Sequence, residues 1–324
     1  MSDRDFDPRW KDFPDYILDI TRNIWEGRGV ASLRESYAKD LAVRTPAGLL
    51  VGNEATIAAT LATLHQFPDR QLLADDVIWS VDETGHFHSS HRLVTTATHL
   101  GDGLFGPPTG RRVAFRAIAD CAARAGVIDD EWLWRDSGAI VRQLGGEPFA
   151  FARTQIEAEG GPASAARPFT PADDVEGPYR GRGNDDEWGL AYEATLERLM
   201  AADFAAVRRD YDRSVELYTP GAVTRFGFAG VDESWLGLRS SLPSARFEVH
   251  HRVGREDPLM RPRAAIRWSL TGRHDGWGVL GRPSGAEVHV MGACHAEYGP
   301  RGIRREYVLW DEVAVARQVC LATG

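Results

Sequence analysis

Asp136 stands two residues beyond the second tryptophan of Glu131-Trp132-Leu133-Trp134. Period-2 alternation along an extended strand puts Trp132, Trp134 and Asp136 on one face. Two indoles beside a carboxylate desolvate it, so its pKa rises towards neutrality and it can take and return protons. They also offer flat apolar surface on which a polycyclic molecule would stack. A second reading stays open, because Asp136 precedes SGAIVRQL and could N-cap a short helix.

The other candidates come in pairs. His99 and His274 stand at matching places beside two similar turns, GDGLFGPPTG at 101–110 and GWGVLGRPSG at 276–285, a step of 175 residues. Each histidine could move protons or touch substrate, or could hold its turn by hydrogen bonds. Asp311 repeats Asp136 at the same step, with Tyr307 and Leu309 as its alternating neighbours. Asp120 and His295 also coincide, a carboxylate in one copy and an imidazole in the other. Arg92 and Arg267 could donate to an oxyanion or form salt bridges to Glu131 and Glu306. Tyr37, Trp268 and Tyr307 complete the candidates for substrate contact, with Tyr37 and its counterpart Tyr211 also suited to core packing. In GHFHSSH, His86 and His88 lie two apart on a strand, where two rings could share a metal. No carboxylate accompanies them at ligand spacing and the second copy has no equivalent, so no metal is expected.

The step of 175 organises the chain that must position these groups. It also places Arg92 on Arg267, Thr96 on Thr271, Glu131 on Glu306 and Gln143 on Gln318. Nearer the N-terminus the step is 174, with Tyr37 on Tyr211 and Thr45-Pro46 on Thr219-Pro220. So constant a register implies two copies of one domain, 13–146 and 188–322. Residues 147–187 are rich in Gly, Pro, Ala and charge without a sustained period and read as a linker. Each copy opens helical, as in Ile17, Ile20 and Ile24 or Ile57, Leu61 and Leu64. Each ends in extended stretches such as HRLVTTATH, RVAFRAIA and AEVHVMGACH. Helices first and a mostly antiparallel sheet afterwards is an α+β order. The glycine turns fall between strands, where their glycines supply positive φ. A tether raises the effective concentration of one copy for the other, so an intrachain pseudo-dimer is expected, with further homo-oligomerisation possible.

Bulk properties exclude several classes of function. A net charge of −9 disfavours nucleic acid and anionic membranes as partners. No apolar run approaches a membrane span, and the polar start MSDRDFDPRWKD carries no apolar signal core. Three cysteines at no metal-ligand spacing suggest a reducing, cytoplasmic setting. No phosphate-binding loop, HExxH or CxxC occurs, so neither a nucleotide nor an organic cofactor is expected.

THLGDGLFGPPTGRRV followed by GVIDDEWLWRDSGAIVRQLG closely resembles the SnoaL-like polyketide cyclases of the nuclear transport factor 2-like superfamily. The resemblance rests on Thr98-His99, the Gly106–Gly110 turn, Glu131-Trp132, Asp136 and Gln143-Leu144-Gly145. The second copy keeps the turn, His274, Glu306, Asp311 and Gln318, and departs at Tyr307 and Val319-Cys320. The resemblance implies a curved sheet wrapped by helices into a cone with an inner pocket. It also implies ring closure by intramolecular aldol condensation, or a related dehydration or isomerisation, without metal or organic cofactor. The family's acid/base aspartate would fall near Asp136. The expected ligand is a hydrophobic oxygenated small molecule, and the first copy, with the fuller motif, is the expected seat of activity. Related folds also serve as binding modules and scaffolds, so the fold does not choose the chemistry.

Overall fold

A computed structural model describes residues 9–324. They form two compact units, residues 9–135, Ala139–Gly146 and Phe169–Gly181 in one, and Asp136–Gly138, Glu147–Pro168 and Arg182–Gly324 in the other. The expected linker is thus shared between the units, and it is not structureless. Its first part forms a helix at Pro148–Ala158, whose Ala152 and Ile156 cluster with Ala316 and Cys320 near the C-terminus.

In the first unit, helix α1 (Phe13–Trp25) starts at Asp12, whose carboxylate accepts the Asp15 N–H at 2.9 Å. Its residues Phe13, Tyr16, Ile17, Ile20 and Ile24 recur at helical spacing and are buried. Short α2 (Leu33–Ser36) leads into strands β1 (Tyr37–Thr45) and β2 (Gly48–Val51). Helix α3 (Asn53–Gln66) precedes β3 (Gln71–Val81), β4 (Phe87–Thr98), β5 (Arg112–Arg124), β6 (Val127–Arg135) and α4 (Ser137–Gln143). The six strands form a mixed sheet in the order β2-β1-β6-β5-β4-β3, in which β1 and β6 run parallel and the other pairs antiparallel.

Apolar α1 packs on Ala119, Cys121 and Ala123 of β5, which fixes the helix-covered face of this sheet. Directly paired residues share a face. Glu131 pairs with Cys121 and Leu133 with Ala119. Ser89 pairs with Cys121, His91 with Ala119 and Thr95 with Phe115. All of these look towards the helices. The residues between them, Asp120, Trp132, Trp134 and Arg92, look the other way.

The second unit repeats this plan. Helices α5 (Pro148–Ala158), α6 (Glu187–Met200) and α7 (Ala206–Asp210) precede β7 (Tyr211–Thr219) and β8 (Val223–Phe226). Then come α8 (Gly227–Ser241), β9 (Arg246–Arg255), β10 (Arg263–Arg273), β11 (Glu287–Gly299), β12 (Gly302–Trp310) and α9 (Glu312–Thr323). The sheet order β8-β7-β12-β11-β10-β9 matches the first strand for strand, with β7 and β12 parallel. The architecture is therefore α+β in two tandem copies. Among the described residues no helix is long and apolar enough to cross a membrane.

The repeated turns link β4 to β5 and β10 to β11. Each is pinched by a bridge, Gly103 to Gly106 and Gly278 to Gly281, and carries positive φ at Gly106 (84°), Gly110 (69°), Gly281 (81°) and Gly285 (75°). His99 and His274 hold them. The His99 carbonyl accepts the Gly110 N–H at 2.9 Å, and its Nδ1 lies 3.3 Å from Thr109 Oγ1. His274 repeats both contacts with Gly285 (2.9 Å) and Ser284 Oγ (3.0 Å).

Candidate active site

The helix-covered face of the first sheet gathers polar groups that have little else to do there. Glu131 on β6 is buried, and burial raises its carboxyl from 4.5 to about 7, against the opposing pull of the Tyr37 hydroxyl and the Arg135 cation. Tyr37, at the start of β1, hydrogen-bonds this carboxyl, and its phenol is itself driven up by burial and by Glu131. The second oxygen, Oε2, has no hydrogen-bond partner among the described residues. Ser89, His91 and Thr95 line the same face from β4, all buried, and Ser89 Oγ, His91 Nε2 and Thr95 Oγ1 are likewise unpartnered. Burial lowers His91 to about 4, so the imidazole is neutral at neutral pH. Arg70, just before β3, is buried with Nε and Nη1 unpartnered. The Cys121 thiol beside Glu131 is pushed up by burial and the neighbouring carboxylates, so it stays protonated and unreactive. A buried polar atom without a partner costs about 1–3 kcal/mol. Several such atoms lie on this one face of the sheet.

The second unit keeps the glutamate and replaces its surroundings. Glu306 Oε1 accepts the hydroxyls of Tyr192 (2.7 Å) and Tyr211 (2.9 Å), and Trp235 Nε1 lies 3.2 Å from Oε2. Both oxygens are therefore engaged, although burial sets this carboxyl at about 7 as well. At the register of Ser89, His91 and Thr95 stand Ala264, Ile266 and Leu270, all buried and apolar. Trp268 replaces Leu93 and lies 5.9 Å from the Trp235 ring, wholly inside. Gly292, in the place of Ala117, makes room for it, since a Cβ there would meet the indole at 2.2 Å.

Residues 15–144 match the family model of the SnoaL-like polyketide cyclases. The match covers most of the first copy and less than half of the chain. Solved structures similar to the chain include IdmH of Streptomyces antibioticus, assigned as a polyketide cyclase, at 25% identity over 41% of this chain and 97% of that one, with a TM-score of 0.36. TsrD of Streptomyces laurentii is 22% identical over 41% and 93%, with a TM-score of 0.36. AclR of Streptomyces galilaeus, assigned as a hydroxylase, is 19% identical over 39% and 96%, with a TM-score of 0.31. No curated protein matches the sequence.

Within this SnoaL-like copy, the residues singled out from sequence do not meet at one place. Trp132 and Trp134 alternate as expected, but on the face away from the helices. There the Arg44 guanidinium lies 4.6 Å above the Trp132 ring and is tied to Asp130, Asp174 and the Val175 carbonyl. His88 reaches Trp132 (6.5 Å) and stacks on Tyr179 (5.2 Å), so the first unit's own 169–181 segment covers this indole. Asp120, paired with Trp132, shares that face. In the second unit His295 pairs with Tyr307, which stacks on Tyr218 at 4.6 Å.

Asp136 belongs with the second unit. Its carboxylate oxygens accept the N–H groups of Gly221 (2.8 Å) and Ala222 (2.9 Å), two residues with positive φ (82° and 58°). Its counterpart Asp311 N-caps α9, accepting from Val313 (2.8 Å) and Ala314 (3.2 Å), while Ser137 Oγ donates to its other oxygen at 2.6 Å. The salt bridge expected between Arg92 and Glu131 is not formed. The two point to opposite faces, and Arg92 pairs with Asp75 at 2.8 Å. Arg267 and Glu306 are separated in the same way: Arg267 pairs with Ala293, whereas Glu306 pairs with Ala296, which lies on the opposite, helix-covered face. His86 binds Asp129 at 2.7 Å, and His88 and His91 lie on opposite faces of β4. Of the expected residues, only Tyr37 reaches the polar face of the first unit. Glu131, His91 and Arg70 complete it, and the sequence held one signal for Glu131: its repetition, with Tyr37, at Glu306 and Tyr211.

Proposed function

We propose that the first unit is a cofactor-independent acid/base enzyme acting on a hydrophobic, oxygenated small molecule, with Glu131 as its proton-transfer group. One observation carries the reading. Glu131 is buried and poised near neutrality, with the Tyr37 hydroxyl acting on it, and its Oε2 is unpartnered on a face that carries further unpartnered donors. A carboxyl at about 7 exists in both protonation states at neutral pH, which suits a group that must take a proton and later give it back.

In an aldol ring closure, Oε2 of Glu131 would take a proton from the carbon next to a ketone. The carbanion electron pair would spread onto the ketone oxygen, which the buried donors would stabilise. That carbon would attack a second carbonyl of the same molecule, a C–C bond would form, and the new alkoxide would receive the proton from Glu131. Atoms and protons balance without an external reagent. Dehydration or isomerisation uses the same first step. In the second unit both glutamate oxygens are engaged and the surroundings are apolar, which supports a structural duty for that copy.

The test needs only the first step. Proton-to-deuterium exchange in D2O, followed by NMR on a panel of enolisable bicyclic ketones with and without a carboxylate, reports proton abstraction. Glu131→Gln is expected to slow exchange by roughly 10²–10⁴-fold, and Glu306→Gln to leave it unchanged. Exchange at the native rate in Glu131→Gln would remove the glutamate from the chemistry.

A further inference from the structure

Arg70 is the least explained charge on this face. Its backbone N–H donates to the Phe67 carbonyl at 3.1 Å, which anchors the residue just ahead of β3. Its side chain is 3% exposed, yet Nε and Nη1 have no hydrogen-bond partner among the described residues. The guanidinium lies 4.5 Å from the Trp25 ring and 5.6 Å from the Phe115 ring. Such π-faces offset about 0.5–2 kcal/mol. Removing a cation from water costs several kcal/mol in a real protein, so the rings alone leave a deficit. Another cation, Arg135, acts on Arg70 and worsens the deficit.

Thr95 points to the same place. It pairs with Phe115 on one side and Leu72 on the other, which puts it in the sheet beside both the ring under Arg70 and the strand Arg70 leads into. Thr95 is wholly buried and its hydroxyl is unpartnered. A buried guanidinium with free N–H donors at Nε and Nη1, near a free hydroxyl, suits the oxygens of an anionic group such as a carboxylate.

Resting on the acid/base reading above, we infer that the first unit takes a substrate bearing a carboxylate, received by Arg70 and Thr95, and discriminates against the corresponding ester. The carboxylate anchors the apolar body of the molecule over Trp25 and Phe115 and so presents its ketone to Glu131. In the second unit the counterparts of Arg70 and Thr95 are Ala245 and Leu270, so this preference belongs to the first unit alone.

The experiment compares 2-naphthoate with methyl 2-naphthoate by isothermal titration against the full chain at about pH 6, where Glu131 still holds its proton. The native protein is expected to bind the acid at least tenfold more tightly than the ester. Arg70→Met should abolish that preference, Arg70→Lys should restore part of it, and Thr95→Val should reduce it without changing the circular dichroism spectrum. Glu131→Gln should retain it. Because binding is read without turnover, a failed exchange assay with a retained preference counts only against the acid/base reading. Equal binding of acid and ester by the native protein, no binding of either at millimolar concentration, or a preference surviving in both Arg70→Met and Thr95→Val overturns the inference.

Discussion

Glu131 can be tested by its effect on stability, without any substrate. Burial holds its carboxyl at about 7, against 4.5 for an exposed glutamate. Between these values the folded state keeps a proton that the unfolded chain has released, so stability must fall as pH rises across the interval. The contribution is complete below the unfolded value and lost by the folded one. Each pKa unit is worth about 1.4 kcal/mol, so a gap of roughly 2.5 units sets the loss on the order of 3 kcal/mol. The native curve does not display this alone. Glu306 (about 7) and Asp311 (about 6) act in the same direction. His91 and His289, lowered to about 4 by burial, act in the opposite one and add stability as pH climbs towards 6.5. The difference between native protein and Glu131→Gln cancels these shared terms, because glutamine keeps the shape and does not ionise. Urea unfolding at intervals between about pH 4.5 and 8 should show native-minus-variant stability falling by that amount up to about pH 7 and level above it. A difference that stays flat, or that rises with pH, refutes the claim that Glu131 is buried with its proton retained.

Tyr37→Phe removes the hydroxyl that holds the Glu131 carboxyl down, so the rising limb of an exchange-rate profile should move to higher pH; a limb that stays or moves down contradicts that contact. Asp136→Ala leaves the Gly221 and Ala222 N–H groups without their acceptor and should cost about 1–3 kcal/mol. Asp136→Asn should cost less, and exchange should survive in both, whereas its loss in Asp136→Asn alone would return the catalytic role to Asp136. Gly292→Ala drives a methyl into the Trp268 indole and should cost about 1–3 kcal/mol by thermal or chemical unfolding while leaving exchange unchanged.

The duplication, the α+β order and the glycine turns were legible in the sequence because each depends on local residue type or on register, which survive without coordinates. The face of β6 was not. Alternation correctly separated Trp132 and Trp134 from Glu131 and Leu133, but it does not say which set meets the helices. Polarity normally decides this, since one face of an antiparallel sheet is usually wet. Here Asp130, Glu131 and Trp134 are all buried, so the usual contrast is missing. The aromatic pair then invited the reading that it lined a pocket, whereas Arg44 and the 169–181 segment lie over Trp132. Arg70 was invisible for another reason. It belongs to no motif, and its meaning comes from Trp25 and Phe115, residues distant in sequence.

The two glutamates show why an unusual pKa does not by itself identify a reactive group. Burial sets Glu131 and Glu306 at the same value, about 7. They differ in their partners. Around Glu306, Tyr192, Tyr211 and Trp235 engage both oxygens, so a proton acceptor brought there would have to compete with contacts already made. Around Glu131, the Tyr37 hydroxyl draws the carboxyl down against burial, and Oε2 has no partner among the described residues. Ile266 stands at the register of His91 and Leu270 at that of Thr95, so the second unit lacks both polar groups, and Trp268 is wholly buried on the same face. Those exchanges add apolar burial to the second unit, at about 25 cal/mol per Å². The first unit forgoes that gain at the same positions and keeps buried donors unsatisfied. A cost of this kind is tolerated where a group meets a ligand, which favours the first unit over the second as the seat of the proposed chemistry.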